Sequence, residues 1–387
     1  MILLCGCSAK EETSIKVNEP KEYVKAVWIT YYELQKFTDG KGKEEFTNSI
    51  NTAFKELKEM GFNTVTVHVR PSADAFYESD VFPSSRYCFG EQGSEMPYDP
   101  LQIMPESAHN NEIKIEAWIN PYRVSQDGDT DSLSDNNIAK KWINEKSTNV
   151  YVTENGIYFN PASKEVTQLI VEGVTEIVSN YDVDAIHFDD YFYPTTDTDI
   201  DEAEYKEYVN NGGNLSLSEF RRDAVSNMIK SVYNKIKGLN SEVEFGVSPS
   251  ADIDKNYNEL YADVEKWCSE DGYIDYICPQ VYFGFKNEVM PFMQTVKRWT
   301  SISKCTLYVG LPLYKCGKED KYASIANTES INEFKDNTDI ISRQVIYLLK
   351  LTEVKGYYIF SYSCLFSEDC KEETDNLLSL MQGSSPN

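Results

Sequence analysis

The sequence is poorest in what a metal or redox site would need. Three histidines occur in 387 residues, and none falls in an HxH or HExxH spacing. Nine cysteines are present without a CxxC pair, so neither a zinc cluster nor a complete disulfide framework follows from their spacing. No metal and no cofactor is expected, and most of the cysteines read as small buried hydrophobes. Basic residues are scarce as well: 37 Lys and Arg stand against 63 Asp and Glu, a formal charge of −26. That balance argues against nucleic acid as a partner, because affinity there comes largely from cations neutralising phosphates. No run approaches the roughly 18 continuous apolar residues of a membrane span. Membrane association is therefore expected only through the N-terminus, where "MILLCGCSAKEE" resembles the end of a bacterial lipoprotein signal with Cys7 as the lipidated residue. Residues 8–21 then read as a charged tether, and residues 22–383 as one large domain.

What is present is β-rich runs alternating with helical patterns. Eight such runs occur, at 24–31, 63–70, 113–120, 183–190, 243–250, 273–283, 306–313 and 356–362. Between the first two, Phe46, Ile50, Phe54, Leu57 and Met60 keep helical spacing and Gly61 stops the pattern. Eight rounds of strand and helix predict an α/β fold, the (β/α)₈ barrel. The excursions at 71–99, 121–162 and 191–217 follow strands on one side, as the walls of a cleft would. Within the second, alternation about Asn155 and Gly156 predicts a hairpin over 150–160.

In such barrels reactive groups sit where strands run into the following loops. The fourth run, "VDAIHFDDYFYP", ends in two carboxylates. Strand alternation puts Ala185, His187 and Asp189 on the lumen face and Ile186 and Phe188 against the surrounding helices, which leaves Asp190 at the rim. Glycoside hydrolysis needs a pair of carboxyl groups at the scissile bond. Asp189 is the first candidate and Asp190 its neighbour. Asp74 in "RPSADAFY" is the preferred second group, with Glu33 and Asp252 as alternatives. The other strand ends supply candidate substrate contacts in Arg70, Asn120, Tyr122, Arg123, Gln280 and Tyr282, with His187 beside Asp189. Tyr191, with Phe192 and Tyr193, could form a sugar-stacking wall, and Trp28 and Trp118 could add to it. The acidic stretch 196–204 begins like a calcium loop, but Glu202 and Tyr208 stand where glycine and glutamate belong, and it reads as solvated.

With these motifs in place the chain resembles the bacterial glycosyl-hydrolase-like 10 family over about residues 22–380. The likeness rests on "KAVWITY", "MGFNTVTVHVRPSADAFYESDVFP", "EAWINPYRVS", "GIYFNPAS", "YDVDAIHFDDYFYPTTD", "FGVSPSADIDKNYNELYADVEKW" and "GYIDYICPQVYFGF", in that order. It implies an extracytoplasmic glycosidase, lipid-anchored or secreted, acting on a polysaccharide. Amino-sugar glycan strands of peptidoglycan are the substrate class it favours. "WINPYR" supports Asn120 and Arg123 at the site, whereas members often lack an acid where Asp252 stands. The two glutamates of the family 10 xylanases have no counterpart here, since no strand-end Glu follows the fourth or seventh run. A sugar-binding lipoprotein that keeps the barrel without the chemistry is the rival expectation.

Overall fold

The computed structural model describes residues 23–382, so Cys7 and the tether at 8–21 lie outside the described residues. Among the described residues eleven strands form, in chain order β1 (Val24–Ile29), β2 (Thr64–Arg70), β3 (Lys114–Ile119), β4 (Arg123–Ser125), β5 (Val150–Thr153), β6 (Gly156–Phe159), β7 (Ala185–Phe188), β8 (Glu244–Val247), β9 (Tyr276–Ile277), β10 (Thr306–Leu311) and β11 (Val354–Phe360). Eight of them close a parallel barrel in the order β1, β2, β3, β7, β8, β9, β10, β11 and back to β1. These are the eight runs that the sequence predicts. The other three make a small antiparallel sheet with β6 central, and β5 and β6 form the expected hairpin.

The strand boundaries follow local chemistry. The sixth run shrinks to the two residues of β9 because Pro279 has no N–H to extend the ladder, and beyond it Gln280 makes only isolated bridges to Ser250 and Gly310. The helix at Lys43–Met60 buries Phe46, Ile50, Ala53, Phe54 and Leu57 along one face, and Gly61 ends it at φ +98°, a left-handed conformation that suits glycine. Ser163 caps Lys164–Asn180, and Ser216 with Glu219 makes a capping box at the start of Leu217–Leu239. Among the described residues no helix is long and apolar enough to cross a membrane.

Two apolar regions result. The larger lies between barrel and helices and takes the outward faces of the strands, such as Ile186 and Phe188. The smaller fills the lumen with Ala26, Trp28, Trp118, Ala185, Tyr276, Cys278, Tyr308 and Tyr358. Aromatic rings thus occupy space that branched aliphatics fill in most such barrels. Gly246 makes room for one of them, since a Cβ there would fall 2.0 Å from the ring of Tyr276.

Polar groups are threaded through this lumen. Glu116 accepts hydrogen bonds from Thr66 (2.6 Å) and Tyr358 (2.7 Å). His187 has Tyr276 Oη 2.9 Å from Nδ1, Ser248 Oγ 2.9 Å from Nε2 and Trp28 Nε1 3.3 Å from Nε2. An indole N–H can only donate, so Nε2 accepts and Nδ1 carries the proton. Burial keeps this imidazole neutral by lowering its pKa to about 3.

The loop after β7 is held by a buried ion pair. The Arg221 guanidinium, fully buried, donates to both oxygens of Asp201 at 2.8 and 2.7 Å, and also to the carbonyls of Thr196 and Asp197 and to Tyr261 Oη. Tyr193 Oη donates to the same carboxylate at 2.9 Å. The reading of 196–204 as solvated holds for Asp197, Asp199 and Glu202, which are exposed, but not for Asp201, which is an interior anchor. Removing one partner leaves an uncompensated buried charge, so Asp201→Ala should destabilise the fold by about 3–5 kcal/mol in urea unfolding. A change under about 1 kcal/mol would mean that the pair is structurally idle.

Candidate active site

A cavity of about 380 Å³ opens at the C-terminal end of the barrel. Its walls are aromatic, from Trp28, Tyr31, Tyr32, Tyr191, Tyr282 and Phe360, with Thr30, Arg123, Gln126, Ser248 and Gln280 as polar contributors. His68 and Trp118 complete the lining around its two carboxylates, Asp189 and Asp190.

Asp189 is only 2% exposed. Its Oδ2 accepts from Trp118 Nε1 at 3.0 Å and from Asn120 Nδ2 at 3.4 Å, and its Oδ1 from the Tyr191 amide at 3.4 Å. Burial, and then the charge of Asp190, push its pKa up to about 7, against the field of Arg123 and these hydrogen bonds. Asp190 is partly buried at the rim, and burial raises its pKa too, opposed by a hydrogen bond from Gln280. Burial and the neighbouring charge thus keep a proton on Asp189 up to about pH 7.

Five expected positions lie behind the cavity wall. Alternation would aim Arg70 into the lumen with Thr64, Thr66 and His68, but the register of β2 on β3 slips between His68 and Arg70. The extra residue turns Arg70 into the layer beneath loop 71–99, where its guanidinium lies 4.5 Å over the Phe82 ring and burial lowers its pKa to about 10. Asp74 is buried in that layer too, accepting from Gln92 Nε2 at 2.9 Å, and is not the cavity's second carboxylate; that place is held by Asp190. Tyr122 is buried, with its carbonyl accepting from Phe159 N. His187 lies below the floor with both nitrogens engaged. Asn120 reaches the site indirectly: its Oδ1 accepts from the amides of Tyr122 (3.3 Å) and Arg123 (2.9 Å), which orients its Nδ2 toward Asp189.

Arg123, Tyr191, Gln280 and Tyr282 do line the cavity. The Arg123 guanidinium lies 4.8 Å over the Tyr191 ring, and its Nε donates to Pro71 O at 2.9 Å. Tyr191, 50% exposed, is the member of its trio that faces the opening, since Phe192 packs on Trp267 and Tyr193 on Tyr261. Trp118 is no open platform, because His68 covers its face. The alternatives for a second acid are structural: Glu33 Oε1 accepts from Ser361 Oγ and Ser363 N, tying β1 to the end of β11, and Asp252 caps Ile253–Asn258. Tyr31, Tyr32, His68, Gln126 and Phe360 were not among the expected site residues. Nor was Glu116, which alternation with Trp118 and Asn120 along β3 could have placed in the lumen.

Glu116 has its pKa raised to about 7, chiefly by burial. The unfolded chain ionises this group from about pH 4.5 while the folded chain keeps its proton to about 7, so it contributes stability below 4.5 that is lost as pH rises to 7. Glu116→Gln removes that loss. The fall in unfolding free energy between pH 5 and pH 8 should shrink by about 2–3 kcal/mol in the variant. Equal slopes for both proteins would contradict a proton on Glu116.

The sequence profile of the family described as glycosyl hydrolase-like 10 matches residues 23–324. Glycosyl hydrolase YngK of Bacillus subtilis is 33% identical over 323 residues, which cover 76% of this chain and 61% of that protein. Glycosyl hydrolase DigH of Escherichia coli is 33% identical over 293 residues, 68% of this chain and 65% of that protein. The chain thus spans somewhat under two thirds of the length of these relatives. Among solved structures, the PgaB (BpsB) glycoside hydrolase domain of Bordetella bronchiseptica superposes with a TM-score of 0.62 at 11% identity, covering 92% of this chain and 99% of that domain. At that identity the likeness concerns the fold.

Proposed function

The chain belongs to the glycosyl hydrolase-like 10 family, and on that premise we propose that it hydrolyses O-glycosidic bonds in a polysaccharide, with amino-sugar glycan strands of peptidoglycan as the substrate class. The observation that carries this reading is the Asp189 and Asp190 pair in an open, aromatic-walled cavity at the C-terminal end of the barrel. Asp189, pushed to about 7, holds a proton at working pH and is the acid that protonates the leaving oxygen. Asp190, at the rim beside Gln280, is its carboxylate partner. Tyr191 and Tyr282 offer ring faces to a sugar, and Arg123 and Gln280 offer donors to its hydroxyls.

The test is incubation of the protein with peptide-free glycan strands, followed by mass spectrometry of the products. Release of new reducing ends supports the reading, while retention of intact strands favours a binding protein. Asp189→Asn keeps the shape without the proton, and turnover should drop about 10²-fold to 10⁴-fold while the unfolding midpoint is held. The wild-type rate should fall as pH rises through about 7, where the acid form of Asp189 is lost. Near-normal turnover of the variant would sink the assignment.

We further propose that the protein works outside the cytoplasm, anchored through a lipid on Cys7. This rests on the order Leu4, Cys5, Gly6, Cys7 followed by a polar segment. Metabolic labelling with a radioactive fatty acid should mark the wild type and leave Cys7→Ser unlabelled. Equal labelling of both would refute the anchor.

A further inference from the structure

His68 is buried to 2% exposure in the cavity wall, and neither of its ring nitrogens has a hydrogen-bond partner. The other two histidines are engaged: His187 within the lumen, and His109 with Asp182 and Asp184 at the surface. The His68 ring lies flat on Trp118, with centroids 3.6 Å apart and planes 7° from parallel, and meets the edge of Tyr31 at 5.4 Å. Packed on two sides, the imidazole is not free to seek partners elsewhere in the protein. A buried polar atom left unpaired costs about 1–3 kcal/mol, and His68 borders the cavity, where a ligand can reach its nitrogens, now closed to solvent, with a small shift of the ring.

We infer that His68 is a substrate-binding residue, whose imidazole edge pairs with a hydroxyl of the sugar unit seated beside Asp189. The inference rests on the glycosidase reading above. Its chemistry comes from the surroundings. Burial, with Arg123, His187 and Arg70 nearby, holds the His68 pKa well below its usual value, so the ring is neutral and presents one donor and one acceptor. A sugar hydroxyl is both acceptor and donor and matches that edge. Trp118 joins the two halves of the subsite, since the indole that supports His68 also donates its N–H to Asp189.

The three histidines permit a direct test on the full chain labelled with ¹⁵N-histidine. Short soluble fragments of peptide-free glycan strands, added to the Asp189→Asn variant to prevent cleavage, should move the ring resonances of His68 and leave those of His109 and His187 in place. In the enzyme with Asp189 intact, His68→Ala should raise KM about 3- to 10-fold and lower kcat less, because a hydroxyl contact is shared by bound substrate and transition state. His68→Gln, which restores a donor and an acceptor, should recover part of the loss. The resonance measurement needs no substitution at His68 and stands should the alanine variant fold poorly. If the wild type cleaves the strands while the His68 resonances stay fixed and His68→Ala keeps its KM, this inference alone is overturned. If the wild type neither binds nor cleaves them, the glycosidase reading falls and takes the inference with it.

Discussion

Asp189 is held in an aromatic interior by neutral N–H donors instead of a cation, and the rest of the site is arranged around that constraint. A close cation would stabilise the anion and drive the pKa down; the Trp118 indole, the Asn120 amide and the Tyr191 backbone fix the group while burial keeps the pKa near 7. Arg123 and Arg70 act on it through their fields. Each donor then needs its own support. Trp118 is clamped by His68, and Asn120 is oriented by the two amides that follow it. A carboxyl group with fixed geometry and an unsettled proton is what acid catalysis requires.

The lumen below extends the same arrangement. Ser248, which borders the cavity, touches His187; His187 touches Tyr276; and Tyr276 with Tyr358 and Thr66 surrounds Glu116. Each hydroxyl can donate on one side and accept on the other, so polar groups are satisfied among rings without importing charge. Tyrosine serves here because it fills volume and carries a polar tip. This gives part of the unusual tyrosine content a structural role that sugar stacking alone would not supply. The loop after β7 is stabilised in the opposite way, by the fully buried pair of Arg221 and Asp201, some distance along the chain from the carboxylates whose pKa values must stay high.

The barrel was legible in the sequence because its signal repeats. Eight runs alternating with helical patterns survive errors in any one of them, and those at the second, third and fourth strands carry clean alternation. The face assignment of His187 and Asp189 followed from a period of two and holds in the contacts of the lumen. Legibility stopped where that period broke. Arg70 lies one residue past a slip in register, which nothing in "HVRPS" announces, and so a lumen contact became a buried guanidinium over Phe82. Asp74 and Asp201 show the same limit for loops: an acid in a long excursion can be buried and structural, and only the path of the chain reveals it. His68 was the opposite case. Its alternation with Thr64 and Thr66 was readable, but two unpaired ring nitrogens are a property of neighbours and not of spacing.

The depth difference between Asp189 and Asp190 follows from where β7 ends. Regular pairing stops at Phe188, so Asp189 still points as a lumen residue would, while Asp190 is released from alternation and reaches the same cavity from the rim. Two neighbours on a continuing strand would have faced opposite sides of the sheet. Ending the strand one residue before the pair is therefore what makes a pair of them. The cavity's second carboxylate need not come from another strand, and the remaining walls are free for aromatic rings and for donors such as Arg123 and Gln280. On this geometry the selectivity of the site rests with those walls, and its proton chemistry with one turn of backbone after β7.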